Sequence, residues 1–121
     1  MASRLSEEFR DRTKCFAASV IRLYVSLPRD REEVRVCGKQ LLRSETSVAA
    51  HVLEASRARS DQEFVSKIGV VLQEVDESAL WIELLYEECS VTSEAIAPIK
   101  TEANELLAIM SSMLSHTSSR L

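Results

Sequence analysis

The chain has 121 residues, with 15 Lys and Arg against 19 Asp and Glu, two Gly, two Pro and three Cys. That length suits one domain, and so few turn formers exclude an all-β sandwich or barrel. No stretch approaches the ~18 apolar residues of a membrane span, no cleavable signal opens the chain, and Cys15, Cys37 and Cys89 suit free thiols in a reducing cytoplasm.

The first predicted helix covers about 5–27. Phe9, Thr13, Phe16, Val20, Leu23 and Leu27 recur at alternating intervals of four and three, the stripe of a helix packed along its length. Ser6 followed by Glu7 and Glu8 reads as a cap with acidic residues at the positive helix end. Pro28 biases Leu27 out of helical geometry and ends the segment.

The second helix is expected over about 30–57. Val34, Cys37, Leu41, Val48, Val52 and Ala55 fall within about 60° of one another and form its core stripe. A second row of Gly38, Leu42, Ala49 and Leu53 widens the apolar face beyond the needs of one bundle interior. Arg35, Lys39, Arg43 and Arg57 follow its far edge.

The third helix, 61–89, opens on Ser60-Asp61-Gln62-Glu63, a capping box. Phe64, Ile68, Val71, Val75, Ser78, Ile82, Leu85 and Cys89 repeat at four and three. Val70, Trp81 and Leu84 point away from that stripe, as apolar contacts to another molecule do. The fourth helix, 93–116, carries Ile96, Ile99, Ala103, Leu106, Met110 and Met113. Pro98 costs little there if regular helix begins at Ala97, and the polar tail 115–121 is expected to fray. Four stripes with short connections predict an all-α fold, an antiparallel up-down-up-down four-helix bundle forming a single domain over 1–121.

Charge is uneven. Residues 1–60 hold 12 basic and eight acidic side chains, net +4, whereas 61–121 hold three and 11, net −8. Acidic and basic segments side by side, within a bundle or between subunits, account for this better than a polyanion surface, whose field the acidic half would partly cancel.

The residues of known helical chemistries are missing. A di-iron bundle needs Glu-x-x-His, but His51 follows Val48 and His116 follows Met113 at that spacing. Arg43 and His51 lie too far apart for the Arg-to-His signature of helical ribonucleases. Gly38 and Gly69 stand alone, so there is no phosphate loop. Glu74, Asp76 and Glu77 spread over three sides of their helix, whereas His51 and Glu54 can touch on one face. No catalytic residue, cofactor or metal is expected.

Gln40-Leu41-Leu42-Arg43-Ser44-Glu45-Thr46-Ser47-Val48, then Glu54-Ala55, Ser60 and Phe64, resembles a bacterial family of four-helix-bundle proteins. Glu74-Val75-Asp76-Glu77, Trp81-Ile82-Glu83-Leu84-Leu85, Ala97-Pro98-Ile99 and Glu102-Ala103-Asn104-Glu105-Leu106 continue the likeness over roughly residues 27–114. Founding members are encoded in intervening sequences of 23S ribosomal RNA genes. The resemblance implies a homo-oligomer, a five-membered ring. It also embraces a pentameric partner of retroelement reverse transcriptases whose basic surface binds nucleic acid. Two departures stand out: Glu45 occupies a position where a small residue is usual, and Ala49-Ala50-His51 replaces Gly-Ala-Asn.

The expected function is thus a non-enzymatic, cytoplasmic, homo-oligomeric scaffold that presents surfaces to a protein or nucleic-acid partner. Leu42, Ala49 and Leu53, with Val70, Trp81 and Leu84, are the candidates for joining subunits, Trp81 acting as an aromatic anchor. The alternative is an RNA- or DNA-associated accessory factor. Its phosphate-contacting rim would be Arg35, Lys39, Arg43, Arg57 and Arg59.

Overall fold

Ser6 Oγ accepts the Phe9 amide at 3.0 Å, Ser60 Oγ the Glu63 amide at 3.0 Å, and Thr92 Oγ1 the Ala95 amide at 3.4 Å. These caps open three of four helices in the computed structural model, which describes residues 4–121. The helices are α1 (Glu7–Ser26), α2 (Glu32–Ser56), α3 (Asp61–Glu87) and α4 (Ser93–Ser118). Leu27 is extended ahead of Pro28, as the proline requires, and ends α1.

Two local expectations change. The fourth helix starts at Ser93, so Pro98 lies beyond its first turn and leaves the Glu94 carbonyl without its usual helical donor. The tail is also better held than its polarity suggests. α4 continues to Ser118, Thr117 is buried, and Arg120 pairs with Asp61 at 3.2 Å. Arg4 reaches the same carboxylate at 2.6 Å, which ties both ends of the described chain to the start of α3. The two guanidinium groups, Arg120 foremost, hold the Asp61 carboxyl below its ordinary range.

Each helix packs on the next in sequence, α4 returns to α1, and no contact crosses a diagonal. This is an antiparallel up-down-up-down bundle. The α2–α3 seam is the most extensive and α1–α4 the sparsest. The sparse seam is closed electrostatically: Arg12 of α1 grips Glu102 of α4 at 2.9 and 2.7 Å and reaches Glu105 at 2.8 Å. That bidentate grip lowers the Glu102 pKa and raises that of Arg12.

The predicted stripes fill the interior, with Val20, Val34, Leu41, Val52, Ile68, Leu85, Leu106 and Met110 almost fully buried. In the centre, the seven-residue gap between Leu41 and Val48 is spanned by Ser44 and Glu45, both buried. Glu45 has no exposed surface, and neither carboxylate oxygen has a hydrogen-bond partner among the described residues. Burial pushes its pKa up to about 8; the adjacent Ser78 hydroxyl opposes the shift, and the Glu74 and Glu102 charges add to it.

Candidate interaction surfaces

The register of the bundle decides which predicted residues can act together. A Cβ on Gly38 would sit 2.9 Å from Leu27 Cδ1 and 3.3 Å from Tyr24 Cδ1, so this glycine admits α1 closely against α2. Leu42, Ala49 and Leu53 lie within about 60° of Gly38 around α2 and therefore border the α1 seam. The opposite flank of α2 is marked by His51. Its Nδ1 is 2.5 Å from Glu74 Oε1 on α3, and its Nε2 is 3.5 Å from Glu54 Oε2. Val70 and Trp81 lie within about 40° of Glu74 around α3, and Leu84 about 80° away. The six apolar candidates thus form two triplets, one on each side of α2.

Their exposure differs. Leu53 and Val70 are 44% and 40% exposed, whereas Leu42, Ala49 and Leu84 are half-buried. Trp81 packs partly against the core margin, with Nε1 3.5 Å from Glu77 Oε1, so its indole is neither fully inside nor fully outside. The second row of α2 serves α1 through buried Gly38 before it serves any other molecule.

Further apolar groups off the core stripes are exposed in the structure: Ile21, Val25, Val36, Leu80 and Tyr86. With Tyr24 opposite Gly38 in an antiparallel pair, Leu42 is level with Val20 and Ile21. Ile21 and Val25 therefore extend the α1–α2 patch. Their signal was available as an i, i+4 apolar pair off the α1 core stripe.

The basic rim also divides. Arg35, Lys39 and Arg43 follow one another at one-turn intervals, while Arg57, at the end of α2, lies about 21 Å beyond Arg43, with Arg59 in the turn that follows. Arg35 pairs with Glu32 at 3.5 Å and Arg59 with Glu63 at 4.0 Å. Lys39, Arg43 and Arg57 have no ion-pair partner among the described residues. A cleft of about 360 Å³ between the end of α1 and the start of α2 brings Arg29, Arg35 and Lys39 around Tyr24 and Leu27. Thr46 bonds back to the Leu42 and Arg43 carbonyls at 2.9 and 3.2 Å, a helix-internal use of its hydroxyl.

The acid–base cluster joins helices. Both His51 nitrogens face carboxylates, and Lys67 Nζ is 3.9 Å from Glu54 Oε1, so the group laces α2 to α3. Among the described residues, no group of three or more His, Cys, Asp or Glu is placed to hold a metal ion. No helix among them is long and apolar enough to cross a membrane.

The family described as 23S rRNA-intervening sequence protein matches residues 8–112. A crystal structure from Bacteroides thetaiotaomicron, described as a protein with unknown function from the S23 ribosomal protein family, is similar in fold with a TM-score of 0.79. It is 31% identical, over 87% of this chain and 96% of that one. No curated protein matches the chain.

Proposed function

This chain belongs to the 23S rRNA-intervening sequence protein family, and from that membership we propose that it is a non-enzymatic cytoplasmic scaffold assembling head to tail with copies of itself. The carrying observation is the division of charge across the bundle. α1 and α2 pack together and come from the half with net charge +4; α3 and α4 pack together and come from the half with −8. Each half bears exposed apolar side chains, Ile21, Val25 and Leu53 on one and Val70 and Leu80 on the other. Two different, oppositely charged faces favour a heterologous contact, and such contacts close into rings when the rotation per subunit allows. Five subunits is the number implied by the resemblance to ring-forming relatives.

In this reading apolar contacts hold subunits together and charge orients them, so salt slows association more than it weakens the assembly. Native mass spectrometry at micromolar concentration tests it by counting subunits and detecting bound nucleic acid. The expected result is a discrete oligomer, five-membered, that loses subunits in a Trp81→Ala, Leu84→Glu double variant. A monomer at that concentration overturns the reading.

A second reading has its own support in the cleft beside Tyr24, where Arg29, Arg35 and Lys39 converge. It assigns this edge of α2 to phosphate groups of RNA or DNA. Binding should then fall steeply with salt and weaken in Lys39→Ala and Arg43→Ala. An absence of binding at low salt removes it.

A further inference from the structure

We propose that Cys37 and Cys89 form a reversible intramolecular disulfide when the protein meets hydrogen peroxide, stapling α2 to the turn between α3 and α4. The inference is independent of the assembly. All three cysteines are free; Cys15 is exposed, Cys37 half-buried and Cys89 buried. Cys89 Sγ sits 3.8 Å from the carbonyl oxygen of Glu33. Glu33 lies one helical turn before Cys37. Side chains on a helix tilt toward its N-terminus and cover the preceding turn. The Cys37 thiol is therefore directed onto the stretch of α2 against which the Cys89 sulfur rests.

The Cys89 thiol also feels its neighbour. Burial pushes the Cys89 thiol up, and the adjacent Cys37 thiol adds to the shift. This divides their roles. Half-buried Cys37 is the thiol that peroxide can reach, and Cys89 is the sheltered one that resolves the product.

The Cys37 thiolate attacks one peroxide oxygen and breaks the O–O bond. It becomes a sulfenic acid, and the departing hydroxide takes up the proton released when the thiolate formed and leaves as water. Cys89 sulfur then attacks the sulfenic sulfur, loses its proton and expels a second water as the S–S bond forms. Two electrons pass from the thiols to the peroxide. A dithiol reductant reverses the bond by thiol–disulfide exchange. The link joins α2 to the end of α3 and closes a loop containing most of both helices, which restricts the unfolded chain.

The test uses the full-length protein carrying Cys15→Ser, which removes the exposed thiol. After hydrogen peroxide treatment and alkylation, each chain should lose two hydrogens. Non-reducing peptide mapping should then recover the Cys37 and Cys89 peptides as one linked species. Its melting temperature should rise, return on adding reductant, and stay unmoved by peroxide in a further Cys37→Ser variant. Cys37 carried on to sulfinic acid with Cys89 still alkylatable would overturn the proposal, as would links joining two chains. The linked-peptide result on the parent protein decides the matter even where Cys37→Ser fails to fold.

Discussion

The Ser78 hydroxyl lies beside the carboxyl of Glu45 but donates to the Glu74 carbonyl at 2.9 Å, so that both Glu45 oxygens, in the centre of the bundle, have no hydrogen-bond partner among the described residues. An ionised carboxylate there would be shut off from bulk solvent, and the charges acting on it are those of Glu74, partnered with His51, and Glu102, partnered with Arg12, both of which oppose its ionisation. The group is therefore held as the neutral acid.

Glu45 makes stability fall as pH rises. Its pKa is about 8 in the fold against an ordinary 4.5, so between those values the folded chain holds a proton that the unfolded chain has released. Its favourable share is complete below about pH 4.5 and declines toward pH 8, by an amount on the order of a few kcal/mol. Glu102 and Asp61, whose pKa values are lowered, act oppositely and lose their contributions in acid. Urea unfolding from pH 5 to 9 should show a falling midpoint, and Glu45→Gln should flatten the fall. An unchanged slope in that variant would assign the pH dependence elsewhere.

Much of the bundle was legible because its signals are local. Ser60 and Glu63 announce the start of α3, Pro28 the end of α1, and the four-and-three spacing the buried faces. Glu45 was not, because a charged residue in a stripe gap looks like an interruption. Only the surrounding volume shows that α2 cannot turn it outward while burying Leu41 and Val48. Arg12 was missed for a different reason: its partners are on α4, a seam that no spacing within α1 can specify. The apolar candidates were recognisable individually, but their division into two triplets depends on how α1 and α3 flank α2.

Arg12 should matter more to the α1–α4 seam than to the rest of the fold. Arg12→Ala removes the bidentate grip on Glu102 and the contact with Glu105 where helix packing is sparsest. These groups are partly exposed, so solvent limits the loss to about 1 kcal/mol. Hydrogen exchange should speed up in α1 while the centres of α2 and α3 stay protected, and the Glu102 carboxyl should titrate higher by NMR. Uniformly faster exchange would show that the pair supports the whole bundle.

Ser90 offers a gain in stability. It has φ of 57°, the left-handed region, in the turn that follows α3, where the Val91 amide bonds back to the Leu85 carbonyl at 3.0 Å. Helix ends favour glycine there because a Cβ crowds the backbone. Ser90→Gly should raise stability by about 0.5–1 kcal/mol, net of the greater freedom glycine gives the unfolded chain. Calorimetry on the two proteins checks it, and a lower melting temperature would mean that the serine hydroxyl contributes more than the strain costs.

Gly38 separates packing within one chain from contact between chains. A methyl group there meets the mobile end of Leu27 at 2.9 Å and the Tyr24 ring at 3.3 Å. Gly38→Ala gains about 1 kcal/mol of helix propensity, which repacking of Leu27 offsets, so its net effect should be small. Gly38→Ile adds a branched chain that cannot fit beside Tyr24 and should destabilise by about 1–3 kcal/mol. Because Gly38 is buried under α1, the loss should appear in unfolding of a dilute sample as fully as in a concentrated one. A penalty that grows with protein concentration would instead place this stretch of α2 in the contact between copies.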